Sequence, residues 1–252
     1  RRSIMKDILQ DVVAKTHSLG FLALVKVTGD DASTTVESMA EDRSVILSAN
    51  TKEKVAEFGA NIFGMPNLDK LALHLKNPEY QKDAKIDVVQ AERNGETIPT
   101  HIHFENGTGD FQNDFRFMSS QIINEKLKSV KFKGASWDVA FTPSLASITR
   151  MKLQSAAHSE EQNFTVKVEE TGGVSDLVFS FGDANTHAGK FVFQTGVEGN
   201  LKHAWTYPVA QVQAILNLDG QIVMSLSDQG AMQITVDSGL ATYNYILPAQ
   251  SK

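Results

Sequence analysis

The chain has 252 residues, with 24 Lys and Arg against 30 Asp and Glu for a formal net charge of -6, and it is 41% hydrophobic and 21% charged. That composition is globular, is sized for one large or two ordinary domains, and excludes a disordered chain. The complete absence of cysteine excludes a disulfide scaffold, a Cys-ligated zinc and a thiol nucleophile, and it suits a reducing cytoplasm, where the protein is expected to reside.

The opening "RRSIMKDILQDVV" places Ile4, Ile8, Leu9, Val12 and Val13 at helical spacing, with Lys6, Asp7, Gln10, Asp11 and Lys15 on the other face. It lacks the unbroken apolar region and small-residue cleavage site of a signal peptide. Arg1 stands where an initiator Met would be, so the natural start is expected to be missing or altered. No stretch approaches the ~18 consecutive apolar residues of a membrane span, and no membrane partner is expected. From Phe21 the apolar period changes to two. "FLALVKVTGD", "TTVESMAED" and "SVILSANT" read as strands, and "EFGANIFGMP" as a fourth.

"NLDKLALHLKN" is a short helix with Asn67 as N-cap and Pro78 as stop. Strands return at "AKIDVVQAE", "PTHIHFEN" and "NDFRFMSS", with Asn94-Gly95 as a hairpin turn. "SQIINEKLKSVKFKGAS" has neither period and reads as a connector. "WDVAFT" is a strand, and "TPSLASITRMKLQSAAH" a helix with Thr142 as N-cap, Pro143 in the first turn and Leu145, Ile148, Met151 and Leu153 as its apolar positions. After it come strands "NFTVKVEE", "VSDLVFSFGD" and "GKFVFQTG", a helix "YPVAQVQAILNL", and closing strands "QIVMSLSD", "AMQITVD" and "LATYNYILP". Helix-to-helix spacing is about 63 residues in both halves, the mark of an internal duplication of pattern rather than of letters.

That order of elements, with "SDQGAMQITV" and the tail "YNYILPAQ", resembles the DNA polymerase sliding clamps of the proliferating cell nuclear antigen (PCNA) type, in style nearest the shorter clamps of tailed bacteriophages. The resemblance covers nearly the whole chain, although the strand that precedes the first helix in that family looks short or absent here. It implies an α+β fold: a duplicated clamp domain, each copy with two helices and antiparallel sheets, forming a ring. The domains would be residues 1–119 and 136–252, joined by a connector at 120–135. It further implies a homotrimeric processivity factor that encircles duplex DNA without sequence specificity and tethers the polymerase after a clamp loader has opened it.

Charge is an independent check. The four expected helices hold Lys6, Lys15, Lys70, Lys76, Arg150 and Lys152 against Asp7, Asp11 and Asp69, and Lys202 lies just before the fourth. A positive helix set on a negative chain has the polarity of helices facing phosphate, so these seven bases are the candidate DNA-facing residues. The resemblance implies a partner pocket at Met39, Val45, Leu127, Val130, Tyr245, Leu247 and Pro248, and subunit-edge contacts through Phe115, Phe117, Phe191 and Phe193.

No catalytic constellation is visible. His101 and His103 share a strand face but lack a third ligand at recognisable spacing. Asp183 and His187 have no G-x-S-x-G elbow beside them, and the glycine turns do not lead from a strand into a helix as a phosphate loop does. Neither a cofactor nor an enzymatic activity is expected. The alternative reading is a β-rich phage virion protein, of tube or baseplate type, that assembles through strand edges.

Overall fold

Amphipathic spacing folds Met5–Lys15 into helix α1, which buries Met5, Ile8, Leu9 and Val12. The computed structural model describes residues 3–128 and 132–251. They group into two units that are discontinuous in sequence. Unit one holds Arg1–Glu41, Leu47–Lys131 and Ser238–Tyr243, and unit two holds Asp42–Ile46, Phe132–Asp237 and Asn244–Lys252.

In unit one, strands β1 (Val25–Gly29), β2 (Thr34–Met39), β3 (Ile46–Thr51) and β4 (Ile62–Met65) form a sheet in the order β4-β1-β2-β3. Their alternation sends Val25, Val27, Val36 and Leu47 inward. Helix α2 (Leu68–Lys76) packs beside α1 and buries Leu68, Leu71 and Leu75. Asn67 precedes α2 but takes a left-handed backbone and makes no side-chain cap bond. Asn77 caps instead, accepting from the Glu79 N–H at the short helical turn that Pro78 opens. Strands β5 (Lys85–Arg93), β6 (Glu96–Glu105) and β7 (Gln112–Arg116) make a second sheet in that order. Asn94 and Gly95 turn the β5–β6 hairpin with φ of 53° and 80°, the positive pair that a two-residue hairpin needs.

The expected connector begins as a helix, α3 (Ser120–Lys126), with the Ser119 hydroxyl accepting from the Ile122 N–H. Ile123 and Leu127, one turn apart, are its buried side chains, and this spacing is what its lysines obscured. Gly64 of β4 exchanges both backbone hydrogen bonds with Met118, at 2.9 and 2.8 Å. A β-carbon there would meet the Ile123 and Met118 side chains at 3.0 Å, so any larger residue would push them aside and glycine suits the close approach.

Unit two repeats the plan. Strand β8 (Val139–Phe141) precedes helix α4 (Leu145–Ala157), and β9 (Asn163–Thr171), β10 (Val174–Phe181), β11 (Gly189–Gln194) and β12 (Trp205–Pro208) follow. Helix α5 (Val209–Leu216) leads to β13 (Gln221–Ser227), β14 (Ala231–Asp237) and β15 (Ala241–Pro248). The sheet β11-β10-β9-β12 has the same connectivity as β4-β1-β2-β3, and β15-β14-β13 mirrors β7-β6-β5 with β8 added beside β13. The duplication is thus one of topology. Among the described residues of unit one, no strand precedes α1 as β8 precedes α4. Strand β12 carries no alternation long enough to read from sequence.

Thr142 is not the cap of α4. Ser144 is, its hydroxyl accepting from the Ser147 N–H at 3.0 Å. The buried wall of α4 is Ser147 and Met151, and the Ser147 hydroxyl donates to the Phe193 carbonyl at 2.6 Å. Leu145 and Leu153, expected inward, are 84% and 65% exposed. The core beneath is aromatic: Phe193 stacks on Phe179 at 4.2 Å, and Phe164 lies 4.8 Å from Phe179.

Candidate nucleic-acid interface and assembly edges

The bases on the helices divide into two groups. Lys6 on α1 is half-buried and donates to the Tyr80 carbonyl at 3.1 Å, so its ammonium serves the unit's own packing. Lys15 is buried and lies 3.4 Å from Asp11 one turn before it. Asp11 also accepts from the Ser238 hydroxyl at 2.6 Å and the Tyr243 hydroxyl at 2.7 Å. The expectation that Lys15 faces phosphate is therefore corrected: a buried ammonium must be paired, and its carboxylate is the hub of a structural network. Asp11→Ala removes one acceptor from three donors and is expected to cost about 2–4 kcal/mol, read by urea unfolding. An unchanged midpoint would return Lys15 to the solvent-facing set.

Lys70 and Lys76 on α2, Arg150 and Lys152 on α4, and Lys202 in the loop before β12 are exposed. Helix α4 contains no acid. At 100° per residue, Arg150 and Lys152 lie on its two flanks, and Leu145, Thr149 and Leu153 form the outward pole between them. Helix α2 likewise turns Leu73 outward, 69% exposed. These outward leucines were missed because a leucine in an amphipathic pattern reads as core. His74, its ring tilted against Phe104 at 5.2 Å, is held below its ordinary pKa by burial and then by the Lys70 charge, so it adds no positive charge at neutral pH. A groove of about 550 Å³ between α1 and α2 is lined by Val13, Ala14, Ala72, Leu75 and Lys76 among others.

The expected partner pocket is largely core. Val45, Tyr245 and Leu247 are fully buried and Leu127 is nearly so. Met39 is half-buried, Pro248 is exposed, and Val130 lies outside the described residues. The terminal Leu-Pro is held by its own unit: the Ala249 N–H donates to the Gly230 carbonyl at 2.9 Å and the Gln250 N–H to the Thr206 carbonyl at 2.8 Å. Beside this tail stands Trp205, half-buried, whose indole N–H donates to Asp228 at 3.0 Å. Asp228 also holds the backbone and ring of His203 at 3.1 Å. Trp205 was not singled out from sequence because its strand is too short to show a period.

Strands β7 and β11 each end a sheet. Phe115 and Phe193 are buried in their own cores and cannot meet another subunit. Phe117, stacked on Phe63 at 4.2 Å, and Phe191 are half-buried and remain at the edge. On the solvent face of β6, His103 Nδ1 lies 2.7 Å from Asp114 of β7, and His101 Nε2 lies 3.6 Å from the same carboxylate. Asp183 accepts from the Asn185 N–H of its own loop at 2.8 Å.

No protein-family model and no curated protein matches the sequence. Among solved structures, the chain superposes on PCNA of A. fulgidus, bound there to the C-terminal region of FEN-1, with a TM-score of 0.64 and 9% identity over 99% of this chain and 96% of that one. The chain has the sliding-clamp fold. PCNA of Entamoeba histolytica gives a TM-score of 0.62 at 12% identity over 98% and 95% of the two chains, and PCNA of Thermococcus kodakaraensis gives 0.60 at 12% over 97% of each. The clamp fold thus accounts for both units, and it does so at identities where sequence carries almost none of the likeness.

Proposed function

We propose that the protein is a DNA polymerase processivity factor: three copies close head to tail into a ring that encircles duplex DNA, slides without reading bases, and tethers the polymerase. The observation that carries this reading is the clamp fold over nearly the whole chain, with exposed cations on α2 and on the acid-free α4 of a chain whose net charge is -6. Few cations on a negative body bind DNA weakly by collision, because affinity scales with the phosphates neutralised. Retention is then topological, and a clamp loader must open the ring. The FEN-1 segment bound by A. fulgidus PCNA supports a surface for short peptides of replication proteins, here around Pro248 and Trp205 of unit two. On this reading the protein acts in the cytoplasm and catalyses no reaction.

Head-to-tail contact of unlike edges closes when the rotation per copy divides the circle, and two units per chain make a six-unit ring from three chains. Light scattering over a dilution series tests it. The expected mass is three times the 27.6 kDa chain, falling on dilution. A strict monomer at high concentration removes the ring. Large polydisperse species move the assignment to a virion structural protein.

A further inference from the structure

The solvent face of the β5-β6-β7 sheet carries a charge row that ends at an edge strand. Cross-strand register sets Asp87 of β5 opposite His103 of β6, and His103 opposite Asp114 of β7. The rows on either side pair Lys85 with Glu105 and His101 with Arg116. With neutral imidazoles this face holds Asp87, Glu105 and Asp114 against Lys85 and Arg116, one net negative charge. With both imidazoles protonated it holds one net positive charge. The contacts are made: His103 Nδ1 to Asp114 at 2.7 Å, His103 Nε2 to Glu105 at 3.5 Å, and Lys85 to Glu105 at 3.7 Å.

The other free edge, β11, has a single charged side chain, Lys190. Lys190 is exposed and only loosely held, 3.7 Å from a Glu169 that Lys167 already engages at 2.9 Å. Val178 and Ser180 of β10 are the neutral residues beside it on that face, with Asp176 further along.

We infer that Asp114 is the electrostatic acceptor for Lys190 of a second copy of this chain, and that His103 makes this contact acid-sensitive. The inference rests on the ring reading above. While His103 is neutral, Asp114 presents its charge at the edge and attracts the β11 edge. Once His103 is protonated it claims Asp114 for itself, the face loses its net negative charge, and the attraction for the lysine of the other edge is lost. His103 lies above its ordinary range, first through the hydrogen bond to Asp114, so the change falls on the neutral side of the usual imidazole titration. The sign follows from linkage: the closed ring binds fewer protons than the free chains, so assembly strengthens as pH rises through the His103 titration and weakens as pH falls.

The test is the dilution series run at pH 8 and pH 6 on the full chain, with circular dichroism melts at both values to show that the free chain stays folded. The midpoint concentration for dissociation is expected to rise roughly tenfold or more at pH 6, with less change in high salt, where exposed charges are screened. His103→Asn keeps a donor toward Asp114 and should shrink that pH response. Asp114→Lys and Lys190→Asp should each weaken assembly at pH 8, and the double variant, which restores opposite charges, should recover it. A trimer with the same midpoint at both pH values overturns the inference and leaves the ring standing. A pH response that survives in His103→Asn also overturns it, as does failure of the charge swap to restore assembly. A folded monomer at every pH instead overturns the ring itself.

Discussion

Phe193→Ala should lower the stability of unit two by roughly 3–5 kcal/mol, the cost of emptying an aromatic site in a packed core. Phe193 is fully buried, lies nearly parallel to Phe179 at 4.2 Å, and meets Phe141 edge-on at 5.9 Å. Its carbonyl also receives the Ser147 hydroxyl, tying β11 to α4. The loss is a large part of the ~5–15 kcal/mol that a native protein has in total. With about 4 °C per kcal/mol, the value where the ranges for smaller and larger domains meet, the melting temperature should fall by roughly 12–20 °C. Phe191→Ala is the control. Phe191 sits two residues earlier on the same face, half-buried with its ring edge-on to Phe179 at 5.7 Å, so its removal should cost less stability than that of Phe193 and act on self-association as well. Calorimetry on the two variants separates core from edge. If Phe193→Ala melts with the wild type, the aromatic stack does not hold β11 in place.

That pair of phenylalanines marks where sequence is informative and where it stops. Alternation in "GKFVFQ" identifies a strand, because side chains on a pleated strand point alternately to two faces. It does not say how far along that face the core extends, and so Phe191 and Phe193, which share one face, look alike until the helix above them is placed. The order of elements was legible for the same reason that the duplication was: two periods, 3.6 and 2, alternate in the same succession twice. Turns were legible where chemistry demands a special backbone, as at Asn94-Gly95. Short elements were not. Strand β12 spans only Trp205–Pro208, and α3 hides a buried Ile123 and Leu127 among lysines.

The candidate site was read less well, and always through the same assumption. Leucines were placed inward and lysines outward, yet Leu145 and Leu153 face solvent and Lys15 is buried on Asp11. Burying an apolar residue is favourable, but much apolar surface remains exposed in any folded chain, and which leucine stays out depends on long-range packing. The inward face of α4 is held in part by a hydroxyl, Ser147, which no hydrophobic pattern detects. Tyr245 and Leu247 were taken for a docking surface because the tail resembles that of the clamps, whereas both are fully buried and the tail beyond them is held by backbone bonds from Ala249 and Gln250.

The exposed bases that survive this sorting give the sharpest functional result. Arg150→Glu with Lys152→Glu should shorten the lifetime of rings loaded on circular DNA by roughly tenfold or more, and lower polymerase processivity with it, since each neutralised phosphate contributes to retention and to its salt dependence. Helix α4 has these two charges and no acid, so the double variant turns its face from wholly positive to wholly negative in every copy of the ring. Both side chains are exposed and form no ion pair among the described residues, so melting temperature and oligomeric mass should stay near wild type, within the ~0.5 kcal/mol usual for surface changes. Separation of the two effects is what makes the result decisive. Lys15→Glu would also abolish loading, but by placing a second carboxylate against a buried Asp11 and unfolding unit one. A double α4 variant that loads, slides and supports the polymerase as the wild type does would show that α4 does not face the duplex, and the leucines at its outward pole would then belong to some other contact.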